Sequence, residues 1–232
     1  SPNKNDLVID IASNDGTLLN FFQNFGLRVL GIEPSNIADI ANENGIQTVK
    51  EFFNESIAKN ILKNHGQAKI ITITNAFAHI KDLDSIMNGI KLLLNENGVF
   101  VSESQYLGDI IEKLEYDTIY HEHLRYYSLN SLNYLFEKHD LEIINAKKIP
   151  THGGSIRVYA ARKGVFSINN NVKIILDEEL KELSMDKFKK FRDRVILSKL
   201  KLYGLLLDIK KAGCKIYGIG APSRATTLIN YV

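Results

Sequence analysis

A single cysteine, Cys214, stands in the whole sequence. It excludes a disulfide framework, and it excludes a thiolate-rich zinc site built from this chain alone. A surplus of basic charge is also missing. The chain carries 29 basic and 27 acidic side chains, a net charge of +2, so it lacks the electrostatic footprint of a nucleic-acid binder. No apolar run approaches the ~20 residues needed to span a bilayer. The opening SPNKNDLVID has neither the charged n-region nor the apolar h-region of a secretory signal. The expectation is a soluble, cytoplasmic protein with no nucleic-acid and no membrane partner. Internal repeats and long low-complexity linkers are absent as well. What is abundant is apolar material: 44% of 232 residues are hydrophobic, enough for one large core or for one domain plus part of another.

That material is arranged as strands alternating with helices. LVIDIA (residues 7–12), RVLGIE (28–33), AKIITIT (68–74) and GVFVSES (98–104) read as buried strands. Helical patterns cover residues 17–25, 36–44 and 84–94, the second ending at Gly45. Ile- and Val-rich strands joined by helices predict an α/β fold with a mostly parallel sheet covered on both faces. After a helix over 129–139, LEIINAKKI and SIRVYAAR read as two short-linked strands, an antiparallel edge to that sheet. Residues 172–212 are helical and highly charged, with a break near 184–186, the pattern of a helical bridge. The last segment, CKIYGIGAPSRATTLINYV, reads as strand, Gly-rich turn and helix, the start of a second Rossmann-like unit. A lone strand and helix bury no core, so the chain is expected to be part of something longer. The expected organisation is 1–165 as a cofactor-binding domain, 166–213 as the bridge and 214–232 as the beginning of the second α/β domain.

Ligands of open α/β sheets bind beyond the carboxyl ends of the strands. DIASNDG (residues 10–16) lies at such an end. A dinucleotide fingerprint would need glycines where Ala12 and Asn14 stand, which weighs against a pyrophosphate ligand. The run Asp10, Ala12, Asn14, Gly16 instead resembles motif I of class I methyltransferases, whose S-adenosylmethionine cofactor has a sulfonium and no phosphate. Glu33, 17 residues after Gly16 and followed by Pro34, ends the second strand, where a carboxylate suits the two hydroxyls of an adenosine ribose. A turn of this kind also favours Gly, Asn and Asp for conformation alone. NAFAHI follows the third strong strand. Asn75, Ala76, Phe77 and His79 would line the cofactor pocket in methyltransferases, with Phe77 against the base, although Phe77 serves equally as core.

YDTIYHEHLRYYS (residues 116–128) concentrates proton-handling groups. His121 and His123 lie on one side only of an extended segment, and no HExxH or cysteine cluster supplies further metal ligands, so no metal is expected. Ser128 reads as the N-cap of the following helix. The remaining possibility is an acid–base cluster.

DIASNDGTLL, GIEPS, NAFAHI, DTIYHEHLRYYSL, HGGSIRV and GIGAPSRATTLINY occur in this order and span nearly the whole chain. Together they resemble the sugar C-methyltransferases that act on nucleotide-linked keto-deoxysugars, such as the C-3 enzymes of tetronitrose-type biosynthesis. Tyr-x-Glu-His is the most specific element. The resemblance implies a central S-adenosylmethionine domain between an N-terminal zinc-binding domain and a C-terminal Rossmann-like domain, with the zinc held only by cysteines of the N-terminal region, which is absent here. It implies a nucleotide-sugar substrate. Methylating carbon requires an enolate, hence a base and an oxyanion donor. His123 is the expected base, with Glu122 orienting it or acting in its place, and Tyr120 the donor to the substrate oxygen. The substrate side is expected at His152, Gly153, Gly154, Ser155 and Arg157, and at Gly220, Ala221 and Ser223 for the diphosphate, although a Gly-Gly turn and a plain helix start account for both stretches. His121 carries no assigned role. Rival readings are an O- or N-methyltransferase, an NAD-dependent oxidoreductase and a non-catalytic nucleotide-sugar-binding fragment.

Overall fold

The structure, a computed structural model, describes residues 3–232. In chain order, β1 (Leu7–Ile11), α1 (Thr17–Asn24), β2 (Arg28–Ile32), α2 (Ile37–Glu43), β3 (Thr48–Val49), α3 (Glu55–His65), β4 (Ala68–Thr74), α4 (Leu83–Leu93) and β5 (Leu94–Gln105) alternate strand and helix. Then come α5 (Leu107–Lys113), α6 (Leu129–Lys138), β6 (Leu141–Ile149), β7 (Ser155–Arg162), α7 (Asn170–Glu182), α8 (Met185–Lys211) and α9 (Ser223–Tyr231). The strands form one sheet in the order β3-β2-β1-β4-β5-β7-β6. The first five strands of that order run parallel, and β7 joins β5 and β6 antiparallel. The expected parallel sheet and its antiparallel edge are both present.

β1 is buried along its whole length because helices cover both faces, which is why it reads as an unbroken apolar run. One face buries Ile9, Ile71, Ile73 and Phe100 against Ile86, Met87 and Ile90 of α4 and Leu132 and Phe136 of α6. The other buries Val8 against Leu19 of α1, Ala41 of α2 and Ile46. Each fully buried Ile or Phe contributes roughly 1.5–3 kcal/mol. The order reverses between β1 and β4, and the loops that follow β1, β2, β4 and β5 gather at one edge of the sheet.

Ser128 caps α6 as expected: its Oγ accepts the Ser131 N–H at 3.1 Å, and Ser131 Oγ accepts the Ser128 N–H at 3.0 Å. Glu179 of α7 closes the same helix end, its carboxylate accepting the N–H groups of Leu129 and Asn130. With Val172 and Ile175 in the core, α7 belongs to the sheet domain rather than to a bridge. Helix α8 lies outside the core. It has no buried residue, and Arg194 ties it to the end of α5 by donating to the carbonyls of Ile111 and Glu112 at 3.1 and 2.8 Å.

The strand expected at the start of CKIYGIG does not form. Residues 214–222 are solvent-exposed and join no sheet, and a strand without a neighbour leaves its backbone groups to water. Among the described residues, no helix is long and apolar enough to cross a membrane.

Candidate active site

The turn after β1 is built from left-handed backbone. Ala12, Asn14 and Gly16 have φ of 60°, 53° and 80°. The N–H groups of Ala12 and Ser13 both donate to the Ile32 carbonyl, at 2.8 and 3.2 Å, which ties the turn to the end of β2. Glu33 completes the tie. Its Oε2 accepts the Asn14 N–H at 3.2 Å and its Oε1 the Ser35 N–H at 2.9 Å. The carboxylate is thus only 9% exposed, held by one backbone donor per oxygen, with lone pairs left over. Pro34 is half-buried beside it.

Asp10 lies beneath this turn, buried, with Thr72 Oγ1 donating to Oδ1 at 2.5 Å. Burial pushes its carboxyl up from the ordinary 3.8 to about 7, against the opposing pull of the Thr72 bond. The folded chain therefore keeps a proton that the unfolded chain has already released. The contribution of Asp10 to stability is fully present below about pH 4 and is lost as pH rises toward about 7, by about 1.4 kcal/mol per unit at the steepest. Asp10→Asn keeps an acceptor for Thr72 and removes the titration. Urea unfolding of both proteins at about pH 5 and about pH 8 is expected to show the variant gaining on the wild type at the higher pH. An unchanged difference would mean that Asp10 is ionised in the fold.

A cavity of about 240 Å³ opens at the same sheet edge, beyond β4 and β5. Asn75, Ala78, His79, Ser104, Gln105, Thr118, Tyr120, His123, Arg125, Tyr126, His152 and Arg224 line it. Of the expected site residues, Asn75, His79, Tyr120, His123 and His152 meet there. His123 is fixed at both ring nitrogens: Nδ1 lies 2.8 Å from the Thr118 carbonyl and Nε2 3.2 Å from the Tyr120 hydroxyl. A carbonyl only accepts, so Nδ1 carries the proton, Nε2 is the basic atom, and Tyr120 donates to it. Burial keeps the His123 pKa below its ordinary 6.5 despite the Thr118 bond. Burial, then Glu122, hold Tyr120 above its ordinary 10.0. Both groups are neutral at neutral pH. The His79 ring stands 5.0 Å from that of His123. Arg125 donates to the carbonyls of Ile80 and Lys81, and the Leu124 N–H donates to Ala78, so the loop carrying His123 is fastened to the turn carrying His79. Ser104 Oγ is buried with no partner among the described residues, a polar atom left for a ligand.

Other expected residues stand elsewhere. Glu122 has a half-exposed side chain outside the cavity lining, and the Thr118 carbonyl, not Glu122, orients His123. His121 is 88% exposed. Phe77 is fully buried and stacked on Tyr127 at 5.4 Å, so it is core and offers no face to a base; Ala76 packs against the same core. Ser155 is fully buried and donates to the Thr151 carbonyl at 3.0 Å, leaving no surface for a substrate. Arg157 is paired with Glu103 at 2.8 Å. A Cβ at Gly153 or Gly154 would overlap the carboxylate of Glu115 or Asp109, so packing alone explains the double glycine. Gly220, Ala221 and Ser223 are exposed and outside the cavity, and Arg224 is the residue of that stretch that reaches it. The additional lining residues Thr118, Arg125 and Tyr126 were visible in YDTIYHEHLRYYS as donors and acceptors flanking the histidines.

The strand order, the left-handed turn after β1 and the carboxylate at the end of β2 define the fold of S-adenosylmethionine-dependent methyltransferases. Solved structures agree. Such an enzyme from Anabaena variabilis superposes with a TM-score of 0.54 at 18% identity, over 69% of this chain and 79% of that one. Another from Clostridium acetobutylicum gives 0.52 at 15%, over 68% and 85%. Residues 1–146 match the family model described as a methyltransferase domain, and the chain belongs to that family. Residues 150–232 match a C-methyltransferase C-terminal domain. The C-methyltransferase NovU of Streptomyces niveus is 33% identical over 228 residues, 97% of this chain. The chain spans 54% of the length of that relative.

The cofactor is S-adenosylmethionine, and the residues present fit it. Glu33 keeps free lone pairs for ribose hydroxyls, and Asn14 and Asp15 are the exposed residues of the turn beside it.

Proposed function

We propose that this chain carries the centre of a C-methyltransferase acting on a nucleotide-linked keto sugar. The observation that carries the reading is His123, a neutral imidazole with its basic Nε2 beside a phenol, in a cavity next to the cofactor edge. Methyl transfer to oxygen or nitrogen uses a lone pair already present. Transfer to carbon needs a C–H bond broken first, and a base–donor pair is what that step requires.

Bound S-adenosylmethionine supplies an electrophilic methyl group on a sulfonium. Glu33 holds its ribose, with the Ala12–Gly16 turn beside it. In the cavity, Tyr120 turns its O–H from His123 Nε2 to the ketone oxygen of the sugar. Nε2 takes the proton from the adjacent carbon, and the C–H electron pair moves onto the oxygen as an enolate. Thr118 stabilises the imidazolium through the Nδ1–H bond. The enolate carbon would then form the new C–C bond as the methyl C–S bond of the sulfonium breaks, its electron pair staying on sulfur as the neutral thioether of S-adenosylhomocysteine, and alignment of the two reactants would supply most of that step. The NovU match to nearly the whole chain supports C-methylation, and the exposed mouth of the cavity beside α9 suits a substrate longer than a sugar.

The test uses the full-length protein, methyl-labelled cofactor and a nucleotide-linked 4-keto-6-deoxysugar. A new methyl resonance on carbon is expected. Label on oxygen or nitrogen, from any acceptor, would sink the proposal.

A further inference from the structure

Arg224 opens α9, yet its side chain belongs to the cavity. Its guanidinium grips Asp117, 107 positions earlier, with two parallel hydrogen bonds: Nε to Oδ2 at 2.9 Å and Nη2 to Oδ1 at 2.8 Å. Glu115 Oε2 stands 3.7 Å from Nη2 and itself accepts from Gln105 Nε2 at 2.9 Å. Two further contacts pin α9 to the same place. Thr227 Oγ1 donates to the Ile119 carbonyl at 3.1 Å, and the Tyr231 ring meets that of Tyr116 edge-on at 5.8 Å. These contacts of α9 all fall on the single 3-10 turn Tyr116–Thr118 and its flanks.

The last carbonyl of that turn, Thr118, is the one that accepts His123 Nδ1–H. Thr118 is itself buried, so its direction follows the turn. A planar guanidinium fork fixes a carboxylate in orientation as well as distance, which a single charge does not. The charge count argues against the rival role of anion binding. Two carboxylates surround one guanidinium, so the cluster has no positive charge to spare for a phosphate.

We propose that Arg224 is a positioning residue: by locking the Tyr116–Thr118 turn it makes the Thr118 carbonyl hold His123 with Nδ1 protonated and Nε2 free. The C-terminal helix is then part of the active-site scaffold, although it offers the substrate no reacting group. The role rests on reading His123 as the base, but it concerns the resting protein and is testable without turnover.

The experiment is imidazole NMR on the chain as it stands, following the titration midpoint and neutral tautomer of His123. The groups facing this ring are His79 from the turn after β4, Tyr120, Glu122 and Tyr126 from its own loop, and Arg224 from α9. Wild type is expected to show the Nδ1–H tautomer. Arg224→Gln is expected to give a mixture of tautomers and a midpoint above that of wild type, because a cation facing the imidazole has gone. Arg224→Lys keeps the charge without the fork, so the mixture appears with the midpoint near wild type. Asp117→Asn loosens the grip from the other side and gives the same mixture. An undisturbed Nδ1–H tautomer in folded Arg224→Lys and Asp117→Asn overturns the proposal, and these two variants decide it if Arg224→Gln does not fold. Failure to methylate any sugar, with these titrations as stated, removes the proposed function and leaves the positioning role intact.

Discussion

His123→Gln is expected to lower kcat for methyl transfer about 10³-fold while leaving the affinity for S-adenosylhomocysteine within about twofold. A glutamine is close in size to the ring and stays polar, but no atom remains that takes a proton at neutral pH. The cofactor edge at Glu33 is untouched by the change, which is why binding and turnover separate. Tyr120→Phe removes the oxyanion donor and is expected to cost about 10²-fold in kcat. Glu122→Gln is expected to cost less than about tenfold, since Glu122 lies outside the cavity lining and does not orient His123. The pH profile of kcat gives an independent check. Burial holds the His123 pKa below 6.5, so activity falls on the acid side only below the ordinary histidine range, and that limb disappears in His123→Gln. Equal losses in His123→Gln and Glu122→Gln, with an acid limb shared by both, would transfer the role of base to Glu122.

The strands were legible because a sheet covered on both faces leaves its mark on the sequence. LVIDIA and AKIITIT are nearly uniform in apolar character, and the structure pairs them as β1 and β4. The edge hairpin was legible from two alternating runs separated by a Gly-Gly turn. Helix α3 was missed although its signals stand in the sequence: Asn54 caps it by accepting the Ile57 N–H at 3.0 Å, and Ala58 and Ile61 form its buried stripe. Helix α5 is as short as α2 but ends at Leu114 in left-handed backbone, without the glycine that marks the end of α2 at Gly45. The strand of the last segment was wrong for the opposite reason. CKIYGIG has the composition of a strand, but composition cannot supply a neighbour.

At the site, local spacing revealed what local structure arranges. Tyr120 and His123 lie three residues apart and meet within one turn, so a short motif was enough to suggest the pair. Burial, by contrast, is a property of the whole fold. Phe77 could not be told from a base-stacking ring, nor Ser155 from a substrate ligand, until the sheet placed both inside. Arg224 was invisible for the same reason, since its partner Asp117 is distant in sequence and only tertiary structure joins them.

The cofactor edge shows how the same chemistry is reached without the expected glycines, and it sets the second large effect. Glu33→Ala removes both anchoring bonds of the turn and the acceptor proposed for the ribose. Charge-assisted hydrogen bonds contribute about 1.5–3 kcal/mol each, so S-adenosylhomocysteine affinity is expected to fall about 10²–10³-fold. A comparable loss is expected from Gly31→Ala, a residue that offers no side chain to any ligand. A Cβ at Gly31 would stand 2.5 Å from Ser13 Oγ and 2.6 Å from Thr48 Oγ1, with β2 held on both sides by β1 and β3. The two hydroxyls have to rotate aside, and the Ser13 Cβ, 3.2 Å from the added carbon, passes the pressure on to the turn after β1. That turn carries the Asn14 N–H to Glu33, and displacing it misplaces the carboxylate while overpacking the sheet by about 1–3 kcal/mol. Close approach at the cofactor edge thus depends on a glycine in β2, with Ala12 and Asn14 accepting left-handed backbone where the usual motif has glycine. Calorimetry with S-adenosylhomocysteine on the two variants, alongside urea unfolding, checks both effects. Both variants are expected to lose binding and stability, Glu33→Ala through the two anchoring bonds of the turn and Gly31→Ala through overpacking. Full affinity in Gly31→Ala would show that the turn and the ribose carboxylate are not coupled through the backbone.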